Sequence, residues 1–276
     1  MKKISEILLL IILLTGLFSG CGQSSNSSKS ESKKNIVVGV CPGPYGDLFR
    51  QAIQPSLEKK GYKVSIKEFD DYIQPNKALA NKDLDLNVFQ NSVYLAKFAK
   101  DNKLDLKAIT AIPTLGSDIY SSKIKSLSEL KNGSLVVIPD DPVNITRSLK
   151  VLVSAGLIKI NPKANIATIT QNDISENPKN LKFKLVNAAQ IPRVINSTDI
   201  EVVNGNYAIA AKFNPKDALY HEKLTEDYLN TITVRAADAN SQLSKDILEV
   251  VKSSAYKSVI NDPKGEFSTF AKPKDF

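Results

Sequence analysis

Three groups of residues carry side chains that could do chemistry, and each points to a different kind. Cys41 ends the apolar run IVVGVC, where a strand would hand over to a loop, and His221 is the single imidazole of the chain. Together they would make a thiol nucleophile and its base. The adjacent acids Asp70 with Asp71, and Asp140 with Asp141, could share a proton. Neighbours on an extended backbone point opposite ways, however, so these are read as loop or capping residues. The third group lies in FDDYIQPNKALANKDLDLNVFQNSVYL, which crowds Tyr72, Asn76, Asn87, Phe89, Gln90, Asn91 and Tyr94 into turns between short elements. Rings enclose an apolar body and fixed carboxamides orient a polar end, which is what a pocket for a small zwitterion requires.

Other chemistries find no footing. The glycines of GVCPGPYG match neither the dinucleotide fingerprint nor a phosphate loop. One histidine and two cysteines are too few for a zinc site, and no acidic loop has calcium-ligand spacing. Neither metal nor cofactor is expected. The net charge of +8 is spread among alternating acids and lysines, as in KIKSLSELKNG, which describes a solvated surface and not a nucleic-acid face.

The elements that must position these residues alternate. IVVGV reads as a buried strand, and DLFRQAIQPSLEKKG as a helix with Leu48, Phe49, Ala52, Ile53 and Leu57 on one face, bent at Pro55 and closed by Gly61. KVSIKEF is a period-2 strand, PNKALANK and SVYLAKFAKDNK are helices, and LKAITAIP is a strand. The cycle then restarts with SLVVIP as strand and NITRSLKVLVSAG as helix, ended by Gly156. LKFKLV, AAQIPRVI and IEVVNGNYAIAA read as strand, helix and strand; TITVRA and one long helix, SQLSKDILEVVKSSAYKSVI, close the chain. This alternation predicts α/β layers with mostly parallel sheets. IVVGVCPGPYGDLFRQAI and SLVVIPDDPVNITRSLKVLV share one construction, a strand, a Pro-containing loop and a helix. Two such units aiming helix N-termini at a common crevice would suit a small anionic group.

The start of the chain sets the compartment. Lys2 and Lys3 precede an apolar run from Ile7 to Phe18, too short for a comfortable span and suited to a secretory signal over residues 1–20. Ser19 and Gly20 before Cys21 resemble the bacterial lipobox, with Phe18 in place of the usual leucine. Cys21 is therefore expected to be acylated, palmitate being an expected acyl group, and to anchor the mature protein on the extracytoplasmic face of the cell membrane. Residues 21–34, rich in Ser and Lys, form a flexible tether. With Cys21 acylated, Cys41 has no partner and no intrachain disulfide is expected.

Several blocks, in order along the chain, carry a specific resemblance: DDYIQPNKAL, LDLNVFQNSVYL, YSSKIKSLSEL, VVIPDDPVNITRSLKVLVSAGLI, ENPKNLKFKLVNAAQIPR and VVNGNYA. From about Asn35 to Phe276 the sequence resembles the NlpA/MetQ family of lipoproteins, the methionine-binding components of bacterial ABC importers. The resemblance implies a non-enzymatic, monomeric, two-lobed periplasmic-binding-protein (type II-like) α/β fold with the ligand cleft between the lobes. Residues 35–113 with 230–276 would form lobe 1, and 114–229 lobe 2. It also implies docking on a methionine-type ABC permease. Arg147 in PVNITRSL stands at the family arginine that pairs with the ligand carboxylate, with Asn144 beside it; Asn204 in VVNGNYA and Asn230 in DYLNTITVR match asparagines at the ligand's polar end. Tyr72, Phe89 and Tyr94 match positions that surround the thioether. Two departures are visible: Asn91 stands where methionine binders commonly have histidine, and TLGSDIY brings Asp118 toward the expected contacts. The resemblance favours L-methionine, with a methionyl dipeptide or another small amino acid as the alternative ligand. An extracellular Cys41-dependent enzyme or an adhesin with a vestigial cleft are the readings from other classes.

Overall fold

Eleven strands and eight α-helices can be traced in the computed structural model, which describes residues 34–276. The expected signal segment, the expected acylation site Cys21 and the expected tether through residue 33 lie outside the described residues. Among the described residues no helix is long and apolar enough to cross a membrane.

The first sheet is built from β1 (Asn35–Val40), β2 (Lys63–Glu68), β3 (Leu86–Asn91), β4 (Leu106–Ala111) and β11 (Asn230–Arg235), in the order β2-β1-β3-β11-β4. β1 runs parallel to β2 and β3, while β11 enters from the far end of the chain antiparallel to β3 and β4. The second sheet is built from β5 (Ser117–Tyr120), β6 (Leu135–Pro139), β9 (Lys182–Val186) and β10 (Ile200–Asn204), in the order β5-β10-β6-β9. Here β10 and β9 run parallel to β6, and β5 is antiparallel to β10. A short antiparallel pair, β7 (Lys159–Ile160) and β8 (Ile174–Glu176), stands apart. The chain passes between the large sheets twice, at 112–116 and again between β10 and β11.

Helices cover both sheets. α1 (Tyr45–Leu48), a wide π turn at Phe49–Ile53 and α2 (Gln54–Lys59) form one continuous helical rod after β1. Pro55 has no N–H to give to the ladder, and the wide turn just before it absorbs that loss, so the expected bend takes this form. α3 (Gln74–Ala80) and α4 (Ser92–Asn102) flank β3. α5 (Pro142–Ser154) follows β6; Asp141 caps it by accepting from the Asn144 N–H at 3.0 Å, and Pro142 fits the first turn.

Two expectations are corrected. IEVVNGNYAIAA is a strand only to Asn204; Gly205 onward forms α6 (Gly205–Ala210), because an alanine-containing run that leaves the sheet has no ladder partner and satisfies its backbone as a helix. The long C-terminal helix is two, α7 (Gln242–Lys252) and α8 (Ser254–Asn261), because the Ser253 side chain accepts from the Tyr256 N–H and starts a second helix. AAQIPRVI coils as a 3-10 segment, with Pro192 inside it.

Each sheet has its own apolar core. Ile36, Val38, Leu48, Phe49, Ile53, Val88 and Ile232 belong to the first, with Ile247 and Tyr256 from α7 and α8. Val136, Ile138, Leu149, Leu152, Ile200 and Val202 belong to the second. A smaller cluster draws on both, with Cys41, Phe89 and Tyr94 meeting Val143 of α5 and Tyr228.

Candidate functional site

The strand ends on which both sheets converge carry carboxamides. β3 ends at Asn91, β10 ends at Asn204, and β11 begins at Asn230 directly opposite Asn91, where a register shift before Ile232 breaks the ladder. Irregularities of this kind re-aim side chains beside binding sites. Strand ends at the crevice of an open α/β sheet are also where ligands bind. The resulting cavity is lined by Arg147, Asn204, Asn230 and Asn144, by Tyr72, Phe89, Tyr94 and Asn91, and by Tyr45, Gln90, Leu115, Gly205 and Asn206.

Its aromatic wall is pre-assembled. Tyr72 lies 5.8 Å from Phe89, 5.8 Å from Tyr94 and 5.0 Å from Tyr207 between ring centroids. The Tyr72 hydroxyl donates to Asn206 Oδ1 at 2.6 Å, and the Tyr94 hydroxyl donates to the Tyr72 carbonyl at 3.2 Å. Burial pushes both phenols well above their ordinary pKa, so they stay neutral donors. Asn91 has two tasks: its Oδ1 caps α4 through the Tyr94 N–H at 2.9 Å, and its side chain faces the cavity.

The polar wall comes from α5, β10 and the second crossing between sheets. Arg147 is buried on α5 and gives its Nε and Nη2 to the two oxygens of Glu222, at 2.8 and 2.6 Å. The Tyr228 ring stacks beneath the guanidinium, 5.0 Å from Cζ. Burial works against the cation, but the charge and hydrogen bonds of Glu222 outweigh it and hold the Arg147 pKa above its ordinary value. Two of the five guanidinium donors are used, and the Nη1 end makes no hydrogen bond to a described residue. Asn204 Nδ2 donates to Asn144 Oδ1 at 2.9 Å, and Asn144 Nδ2 donates to Asp141 Oδ2 at 2.8 Å. Asn204 Oδ1 is buried with no partner among the described residues. A buried acceptor left open beside a guanidinium with free donors is a receptor for a group carrying both charges.

One expected residue is elsewhere. Asp118 does not line this cavity; its Oδ1 accepts from the Glu222 N–H at 2.9 Å and its Oδ2 pairs with His221 Nδ1 at 2.8 Å. On β5 it stands opposite Val203, one residue out of phase with the Ser117 to Asn204 pair, so its side chain leaves the sheet on the other face. Cys41 and His221 are not brought together. Cys41 is buried, its Sγ donates to the Asp71 carbonyl at 3.2 Å, and burial pushes the thiol well above its ordinary pKa, the reverse of an activated nucleophile. Glu222, Tyr45 and Asn206 are not expected from their local sequence: no motif marks Glu222 in YHEKL, and Tyr45 at the start of α1 and Asn206 in α6 have partners distant in the chain.

Comparisons with known proteins place the chain in a family. A family model described as NlpA lipoprotein matches residues 36–271. The chain is 35% identical over 257 residues to the methionine-binding lipoprotein MetQ of Bacillus subtilis, covering 91% of this chain and 92% of that one. It is 35% identical to the D-methionine-binding lipoprotein MetQ of Escherichia coli, covering 85% of each. Among solved structures, a nutrient-binding protein from Burkholderia cenocepacia bound to methionine superposes with a TM-score of 0.77 at 37% identity, covering 82% of this chain and 95% of that one.

Proposed function

Because the chain belongs to the NlpA lipoprotein family, we propose that it is a membrane-anchored, extracytoplasmic solute-binding protein that captures methionine, the L-enantiomer by preference, and delivers it to an ABC permease. The fold is that of the periplasmic substrate-binding proteins it resembles. Residues 35–113 with 230–276 act as one lobe and 114–229 as the other, closing on the ligand. Cys21 holds the monomer at the membrane through its acyl chains.

The observation that carries the reading is the pairing, within one cavity, of a buried arginine with free donors and a buried, unpartnered carboxamide oxygen. The Nη1 end of Arg147 takes the α-carboxylate, since a guanidinium offers planar paired donors to such a group. Asn204 Oδ1 accepts from the α-ammonium, with Asn144 and Asn230 completing the polar end. Tyr72, Phe89 and Tyr94 surround the side chain, where a thioether packs well against ring edges.

The test is calorimetry on protein stripped of carried ligand by unfolding and refolding, with L-methionine, D-methionine and a methionyl dipeptide. L-methionine is expected to bind most tightly. Arg147→Ala is expected to lose about 3–5 kcal/mol, as when one partner of a buried pair is removed, and each 1.4 kcal/mol is about tenfold in affinity. An Arg147→Ala protein that binds as the wild type does would remove the assigned role.

A further inference from the structure

Glu222 stands in the crossing between β10 and β11, yet its contacts reach two other parts of the chain, α5 and the start of β5. Its carboxylate takes both the Nε and Nη2 of Arg147 from α5, 75 residues away. The same Oε2 accepts from the Ser117 N–H at 2.7 Å, the residue with which β5 begins after the first crossing. Its own N–H donates to Asp118 Oδ1, also on β5. Gly116 keeps this junction tight: a Cβ there would lie 3.1 Å from Glu222 Cβ and 3.0 Å from Asp118 Oδ1. The two segments that link the sheets are therefore stitched together at Glu222, and the stitch ends on the cavity arginine.

The pair has two consequences. The fork at Nε and Nη2 is closed to ligand, so only the Nη1 end can meet an incoming carboxylate. The charge of the guanidinium is also balanced within the protein, so the subsite attracts a carboxylate through directed hydrogen bonds more than through net charge. A neutralised arginine beside an open carboxamide acceptor discriminates for a zwitterion over a plain anion.

Resting on the ligand reading above, we propose that Glu222 is the positioning residue of the carboxylate subsite: it clamps Arg147 by one edge so that the other meets the ligand, and joins that arginine to both crossings between the sheets. It does not touch the ligand; it acts through Arg147. A residue of this kind is visible by its coupling, because its removal matters only while the arginine it orients is present.

The experiment is a double-mutant cycle read by calorimetry with L-methionine, on wild type, Glu222→Gln, Arg147→Lys and the double variant. Glutamine keeps the size and one acceptor oxygen, and lysine keeps the charge but lacks the planar pair of donors that grips both carboxylate oxygens. Glu222→Gln alone is expected to weaken methionine binding about tenfold or more, and to change it by less than about twofold in the Arg147→Lys background. Methioninamide, which lacks the carboxylate, serves as a second probe, and the preference for methionine over it is expected to shrink in Glu222→Gln by the same factor. Equal losses in both backgrounds, or no loss in the single variant, would overturn the positioning role while leaving the methionine reading intact. Failure of the wild type to bind methionine would overturn both, and the wild-type titration alone reports it.

Discussion

Two networks of buried carboxamides border the cavity, and they differ in whether they close. Behind Phe89, Asn76, Asn87 and Gln90 satisfy one another: Asn76 Nδ2 donates to Gln90 Oε1 at 2.7 Å and Gln90 Nε2 returns a bond to Asn76 Oδ1 at 2.6 Å. Asn87 Nδ2 also donates to Asn76 Oδ1, at 2.9 Å, and Asn87 Oδ1 accepts from Gln90 Nε2 at 3.1 Å. Every side-chain polar atom of that trio has a partner. Across the cavity, the series from Asn204 through Asn144 to Asp141 is satisfied at one end and open at the other, where Asn204 Oδ1 has none. A closed network rigidifies the wall that carries the rings, while an open one leaves an acceptor oxygen unused by the protein itself. Residue type alone does not separate scaffold from site, since both networks are asparagine-rich; an unmatched atom on a residue that lines the cavity does.

Breaking the closed network is expected to produce the largest change in stability. Asn76→Ala strands Gln90 Oε1 and deprives Gln90 Nε2 and Asn87 Nδ2 of their shortest bonds, all in fully or nearly fully buried positions. Orphaned buried groups cost about 1–3 kcal/mol each, so a loss of about 4 kcal/mol is expected in denaturant unfolding. The preference of the surviving fold for methionine over methioninamide should be unchanged. A collapse of that preference would show that the trio shapes the polar end directly, and the distinction between the walls would fail.

An unmatched buried oxygen need not mark a site, and Glu201 sharpens the comparison. It lies on β10, three residues before Asn204, with Oε1 accepting from the Thr198 hydroxyl at 3.0 Å and Oε2 unpartnered among the described residues. It does not line the cavity, and burial, outweighing the Thr198 hydrogen bond, raises its pKa from the ordinary 4.5 to about 7. The folded state thus holds its proton more tightly than the unfolded chain does. The stability this contributes is complete below about pH 4.5 and is lost as pH rises through about 7, a change of about 3 kcal/mol. Glu201→Gln is expected to remove that slope and to unfold at higher denaturant than the wild type at pH 8. Parallel pH profiles for the two proteins would contradict the assignment.

How far these distinctions could be read from sequence depends on the range of the contacts involved. The strands IVVGV and SLVVIP, and the helix in NITRSLKVLVSAG, are legible because periodicity and end signals are local. The end of β10 was not, since whether NGNYAIAA continues a strand depends on whether a neighbouring strand extends beside it. Ser253 was a further miss, because a serine within an amphipathic run splits the helix only if its side chain turns to cap the next turn. At the cavity, Arg147, Asn204, Asn230 and the three rings stand in blocks of recognisable sequence. Glu222 and Asn206 were hidden because what defines them is a partner elsewhere: Arg147 for one, the Pro42 carbonyl and Tyr72 for the other. Asp118 was misplaced by a single residue of register, which on a strand reverses the face.

Asn204→Ala tests the open network, and its profile should be the reverse of Asn76→Ala. The substitution deletes the unmatched oxygen together with the bond to Asn144, but Asn144 keeps its bond to Asp141 and its freed Oδ1 lies on the cavity. Water can therefore replace the lost partner, and unfolding free energy should change by less than about 1 kcal/mol. Affinity is another matter, because a hydrogen bond to a charged ammonium is worth about 2 kcal/mol, or about 30-fold in the dissociation constant. Calorimetry paired with denaturant unfolding separates the two quantities. A protein that loses stability while binding methionine as before would place Asn204 with the scaffold, and the unmatched oxygen would then have no claim on the ligand.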